Sequence, residues 1–135
     1  MEEFDALKDF LESSGKDMVE LERLLTSRPA LAPESGGDGE LEKLSALEEY
    51  LKKNGITRLE RYDAKDSRVS GGIRPNLVAT IPGNRDDYSI WLCAHLDVVP
   101  TGAMKLWESD PWTLLEKDGK IYGRGVEDNQ QGLVS

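Results

Sequence analysis

Cysteine and histidine each occur once in the 135 residues, as Cys93 and His95, and basic side chains number 17 against 26 acidic ones. A single cysteine excludes a disulfide framework within the chain and fits a reducing compartment, so a cytoplasmic protein is expected. A single histidine leaves Cys93 with no second imidazole to activate it as a nucleophile, and it reads as a small buried hydrophobe. The formal net charge of −9 opposes non-specific binding to nucleic acid and attraction to anionic membranes. No apolar run approaches the ~20 residues needed to span a bilayer. The opening MEEFDALKDF lacks the basic region and apolar stretch of a secretory signal, so none is expected. What remains is 38% hydrophobic, enough for a modest core in one domain.

The apolar residues that are present change period along the chain. Phe4, Leu7, Leu11, Met18, Leu21 and Leu25 lie on one helical face, with Ser13-Ser14-Gly15 a point of weakness and Ser27-Arg28-Pro29 a stop. A Pro/Gly/Ser-rich loop follows over 30–39. Asp38 is then expected to cap a second helix carrying Leu41, Leu44, Leu47 and Leu51, which Asn54-Gly55 ends. Ile56–Tyr62 and Asn76–Ile81 read as strands joined through a Gly-rich connection. Tyr88–Ala94 is almost continuously apolar and predicts a central strand covered on both faces. Leu114–Lys117 and Lys120–Tyr122 flank Asp118-Gly119, a strong hairpin signal. Trp91 and Trp112 are expected to pack in the interior. The order of elements predicts an α/β fold: a layered domain with a mixed β-sheet flanked by helices. Gly132–Ser135 reads as the opening of a helix whose apolar side chains would lack support, so a truncated domain is expected.

Chemistry concentrates in two segments. Cys93-Ala94-His95-Leu96-Asp97-Val98-Val99-Pro100 places the one histidine at the end of the most apolar stretch, and ligands in open α/β sheets bind beyond strand C-termini. Asp97, two positions on, suits a carboxylate that accepts a hydrogen bond from the non-ligating nitrogen of a metal-bound imidazole. A lone histidine in such a place is more commonly structural or solvated. Gly123-Arg124-Gly125-Val126-Glu127-Asp128-Asn129-Gln130-Gln131-Gly132 sets Asp128 just before a presumed helix, where the ordinary role of an aspartate is an N-cap.

Taken in order, His95-Leu-Asp-Val-Val-Pro, Trp107-Glu-Ser-Asp-Pro-Trp, Asp118-Gly-Lys-Ile-Tyr-Gly-Arg-Gly and Asp128 resemble the M20 family of metallopeptidases and amidohydrolases. Pro33-Glu-Ser-Gly-Gly and Pro75-Asn-Leu-Val-Ala extend the resemblance upstream, to about Leu24. The resemblance implies the N-terminal part of a zinc-aminopeptidase-like catalytic domain. It implies His95 as a ligand of one metal ion, Asp97 as the catalytic carboxylate that orients His95, and Asp128 as the bridge between two ions, followed by a cis peptide bond. Two Zn²⁺ are implied, with Co²⁺ or Mn²⁺ also accepted by such donors. The implied reaction is hydrolysis of an amide or peptide bond in a small N-acyl amino acid or peptide, by an activated water. A homodimer is implied for the intact protein.

The departures are equally informative. The family's general base, its remaining carboxylate ligands and its second histidine lie downstream of the bridging aspartate and outside 1–135. Weak metal binding and no turnover are therefore expected of these residues alone. Gln131 stands where many relatives carry lysine. Arg124 could pair with a nearby carboxylate or stabilise its loop, and the structural role is the one expected. The competing expectation is a non-catalytic acidic α/β interaction module with a degenerate metal site, in which His95, Asp97 and Asp128 are structural relics; a separation of His95 and Asp128 well beyond ~6 Å would disfavour shared metal chemistry.

Overall fold

The computed structural model describes residues 2–85 and 87–135. Helix α1 spans Glu2–Thr26 without interruption. At the expected weak point the helix continues, and the Ser13 and Ser14 hydroxyls both donate to the Phe10 carbonyl, at 2.7 and 2.9 Å. The C-terminal half of its apolar stripe, Leu21 and Leu25, is buried, whereas Phe4, Leu7, Phe10 and Leu11 are exposed.

Helix α2 spans Leu41–Lys53 and buries Leu44 and Leu47. Asn54 and Gly55, the latter at φ +84°, end it as expected. Asp38 does not cap it. Gly39, at φ +75°, turns the chain away, and the Asp38 carboxylate accepts instead from the Ser70 backbone N–H at 2.5 Å and from the Ser70 hydroxyl. Arg74 pairs with Glu40 and Arg68 with Glu34, so the loop before α2 is tied to the loop around 66–74 by charge as well.

The strands are short and pair only antiparallel. β1 (Leu59–Arg61) pairs with β4 (Leu77–Ala79), β2 (Ala64–Lys65) with β3 (Ile73–Arg74), and β5 (Leu115–Lys117) with β6 (Lys120–Tyr122). β3 lies inside the stretch expected to be a Gly-rich connection, where two residues are too few for periodicity to register. In the β5–β6 turn both Asp118 (φ +53°) and Gly119 (φ +70°) are left-handed, the condition of a type I′ hairpin.

Helix and strand are thus both present, while the expected layered sheet is not formed among the described residues. Among the described residues three separate two-stranded ladders stand in its place, and Leu31 and Val98 form an isolated parallel bridge. The central strand expected at Tyr88–Ala94 is absent: these residues form no ladder, with Ile90 81% and Leu92 90% exposed. Trp91 and Cys93 are exposed rather than packed; Trp112 is half-buried. A strand cannot satisfy its own N–H and C=O groups, and here residues 88–94 join none of the described ladders.

The core lies between α1 and α2: Leu21, Leu25 and Leu47, with Leu24, Tyr50, Leu51, Leu96, Leu133 and Val134 packed against them. Leu133 and Val134 belong to a last short helix, α3 (Gln131–Val134), so the side chains expected to lack support are in fact covered in part. Among the described residues no helix is long and apolar enough to cross a membrane.

Candidate metal centre

Two anchors bring the motif segments together. Val98 donates its N–H to the Ala30 carbonyl at 3.0 Å and bridges Leu31, which fixes the residues just after Asp97 to the loop that leaves α1. After the β5–β6 hairpin, the Arg124 N–H donates to the Pro111 carbonyl at 2.7 Å. The Arg124 guanidinium lies 5.1 Å from the centre of the Trp107 ring, which gives it the loop-stabilising part expected of it. Gly125, at φ +92°, then starts an irregular turn over Val126–Gln130 that the Gln130 N–H closes on the Gly125 carbonyl at 3.0 Å. Within it Asp128 (φ −119°, ψ 94°) is not helical, and the Asp128–Asn129 peptide is cis, as the resemblance implied. Asp128 is no N-cap, since α3 begins after Gln130 with no side-chain cap.

His95, Asp97 and Asp128 meet. Nδ1 of His95 lies 3.0 Å from the Asp97 carbonyl oxygen and 3.2 Å from Asp97 Oδ1. Nε2 lies 3.2 Å from Asp128 Oδ1, although 33 positions separate the two residues. Burial works against a charge on the imidazole and is the largest single influence. The hydrogen bonds to the Asp97 carbonyl and the Asp128 carboxylate, with the charges of both aspartates, together outweigh it and raise the His95 pKa above 6.5.

The spacing of this donor pair is compatible with a divalent cation, as it is with the hydrogen bond it makes, and the donor set is short of ligands. Two atoms each ~2.0–2.1 Å from a tetrahedral zinc ion lie about 3.3 Å apart, close to the Nε2–Oδ1 spacing. With Nδ1 turned to Asp97, Nε2 is the nitrogen left to ligate. Yet no group of three His, Cys, Asp or Glu side chains able to hold a metal exists among the described residues. A catalytic zinc takes about three protein ligands, so the pair at hand is an incomplete set. The His95–Asp128 contact lies well inside the ~6 Å limit beyond which shared metal chemistry would be disfavoured.

Beneath this exposed trio lies a buried polar group that the sequence did not reveal. Gln130 Nε2 donates to Glu22 Oε2 (2.8 Å) and Thr26 Oγ1 (3.0 Å), and Lys43 Nζ donates to Gln130 Oε1 (2.9 Å). All four side chains are at most 2% exposed. Burial pulls the Lys43 pKa down to about 8, against the attraction of Glu22, Asp97 and Glu40, and it pushes that of Glu22 up. Polar residues flank the apolar stripes of both helices at many positions, so nothing in their spacing singles these out.

Residues 91–135 match the model of peptidase family M20/M25/M40. An uncharacterized metallohydrolase of Methanococcus maripaludis is 41% identical over 125 residues, covering 88% of this chain and 29% of the relative. A second, from Methanocaldococcus jannaschii, is 38% identical over 128 residues, 89% of this chain and 30% of the relative. The succinyl-diaminopimelate desuccinylase of Delftia acidovorans is 35% identical over 118 residues, 87% of this chain and 28% of the relative. The chain thus spans less than a third of the length of the curated relatives it matches.

Proposed function

Since this chain belongs to peptidase family M20/M25/M40, we propose that it supplies part of the catalytic centre of a two-metal amidohydrolase. The observation that carries this is the 3.2 Å approach of His95 Nε2 to Asp128 Oδ1. His95 would hold one ion through Nε2. Asp97 would fix the tautomer by accepting a hydrogen bond from Nδ1–H, which also makes Nε2 the better metal ligand. Asp128 faces His95 with one carboxylate oxygen, and its other oxygen would serve a second ion. The ions, zinc or else cobalt or manganese, supply a Lewis acid and an activated water for attack on an amide carbonyl. The remaining ligands and the general base come from parts of the intact protein outside 1–135, of whose catalytic domain these residues are the N-terminal portion, within a layered α/β architecture.

The substrate class is a small N-acyl amino acid or peptide, and similarity to a desuccinylase favours the N-acyl branch. A cytoplasmic homodimer is part of the same proposal. The test is metal content and hydrolysis of N-acyl amino acids and dipeptides by the intact protein, with His95→Ala and Asp128→Asn. The wild type is expected to hold about two ions and to lose activity to a chelator. Each variant is expected to lose metal and over ~100-fold in rate, more than second-sphere partners typically contribute. Full metal content in both variants would sink the assignment.

A further inference from the structure

The Asp128 carboxylate is 83% exposed and the His95 side chain 45% exposed, so little packs around the pair to hold it. The residue that ties their loop to the interior is Gln130, two positions beyond Asp128. Both edges of its amide are engaged: both Nε2 hydrogens are given, to Glu22 and Thr26 of α1, and Oε1 accepts from Lys43 of α2. These contacts bridge 87 to 108 positions of sequence. Its backbone N–H closes the Asp128 turn on Gly125. A methyl group placed on Gly125 would lie 2.6 Å from Val98 Cγ1 and 3.2 Å from Gln130 Oε1. Gly125 is therefore the point where the segment carrying His95 and Asp97 crosses the turn carrying Asp128, directly against the Gln130 amide.

We infer that Gln130, gripped by Glu22, Thr26 and Lys43, is the positioning residue that fixes Asp128 opposite His95. An amide suits the place because it accepts from a cation on one edge and donates to a carboxylate and a hydroxyl on the other. A carboxylate there would face Glu22 at hydrogen-bond range, and an apolar side chain would strand a buried Lys43 and Glu22 without partners. The inference rests on the metal-site proposal for what Asp128 does, but not for how Asp128 is held.

The test uses the intact protein and two readouts: zinc affinity by competition with a chelator, and the nitrogen resonance of His95 Nε2 in metal-free protein. Gln130→Leu is expected to bind zinc about 10–100-fold more weakly, the range typical of residues that orient ligands. Its Nε2 resonance is expected to move toward that of Asp128→Ala. Thr26→Val, which removes one of the three hydrogen bonds at nearly constant shape, is expected to move both readouts the same way by less, and Thr26→Ser to return them to wild type. A folded Gln130→Leu protein with wild-type affinity and resonance overturns the inference. Should Gln130→Leu fail to fold, the Thr26 pair decides, and Thr26→Val behaving as wild type overturns it. If the wild type binds no zinc, the metal-site proposal fails while the Nε2 resonance still decides whether Gln130 positions Asp128.

Discussion

Helix α2 and the segment Tyr88–Ala94 are both apolar enough to belong in an interior, and they meet opposite fates. In α2 Leu44 is 1% exposed; in the second segment Leu92 is 90% exposed. The difference is not hydrophobicity but where the backbone hydrogen bonds go. A helix closes its own N–H and C=O groups and needs only one packing face, which α1 provides. A strand borrows its partners from neighbours, and an all-apolar strand needs two ladders and two covered faces. The candidate site inherits this contrast. His95 sits at the end of the unpaired segment, whereas Asp128 rides on a turn fastened to the buried amide of Gln130.

The largest test of the contrast substitutes one leucine in each region of the intact protein. Leu44→Ala is expected to cost about 2–5 kcal/mol by denaturant unfolding, as a core cavity does. Leu92→Ala is expected to cost as much if the rest of the protein supplies the missing edges; a cost within ~0.5 kcal/mol, normal for a surface site, would end the idea of a covered strand.

Next in size is Asp97→Asn. The imidazole keeps its position but loses a charged partner at Nδ1, and zinc affinity by chelator competition is expected to fall about 10–100-fold. An unchanged affinity would show that the Asp97 carbonyl, 3.0 Å from Nδ1, orients the ring unaided.

The buried side of the contrast has a signature in pH. Unfolded, Lys43 keeps its proton to about pH 10.5; folded, it releases it near pH 8. The unfolded state binds more protons in between, so this group makes stability rise with pH from about 8 to 10.5, at no more than ~1.4 kcal/mol per pH unit. Lys43→Met is expected to flatten that stretch of the melting-temperature profile, and an unchanged slope would assign it to other groups.

The smallest expected effect is at the hairpin. Asp118→Gly relieves a left-handed φ of +53° but adds freedom to the unfolded chain, so the melting temperature is expected to shift by the equivalent of ~0.5 kcal/mol or less. A larger loss would reveal a contact of the Asp118 carboxylate that matters.

Local rules carried the sequence a long way. The 3.6-residue period placed α1 and α2, Asn54-Gly55 ended α2, and Asp118-Gly119 made the hairpin, because each depends on residues within one or two turns of one another. The ordered series from His95-Leu-Asp-Val-Val-Pro through Trp107-Glu-Ser-Asp-Pro-Trp and Asp118-Gly-Lys-Ile-Tyr-Gly-Arg-Gly to Asp128 carried the family resemblance. Tertiary structure alone decided that Asp38 would bond Ser70 rather than cap α2, that Tyr88–Ala94 would find no sheet, and that Gln130 would become the buried node between Glu22, Thr26 and Lys43. Each of these turns on a partner more than thirty residues away, or on the lack of one. The free energy of a polar group depends on whether such a partner arrives, and no local pattern encodes that.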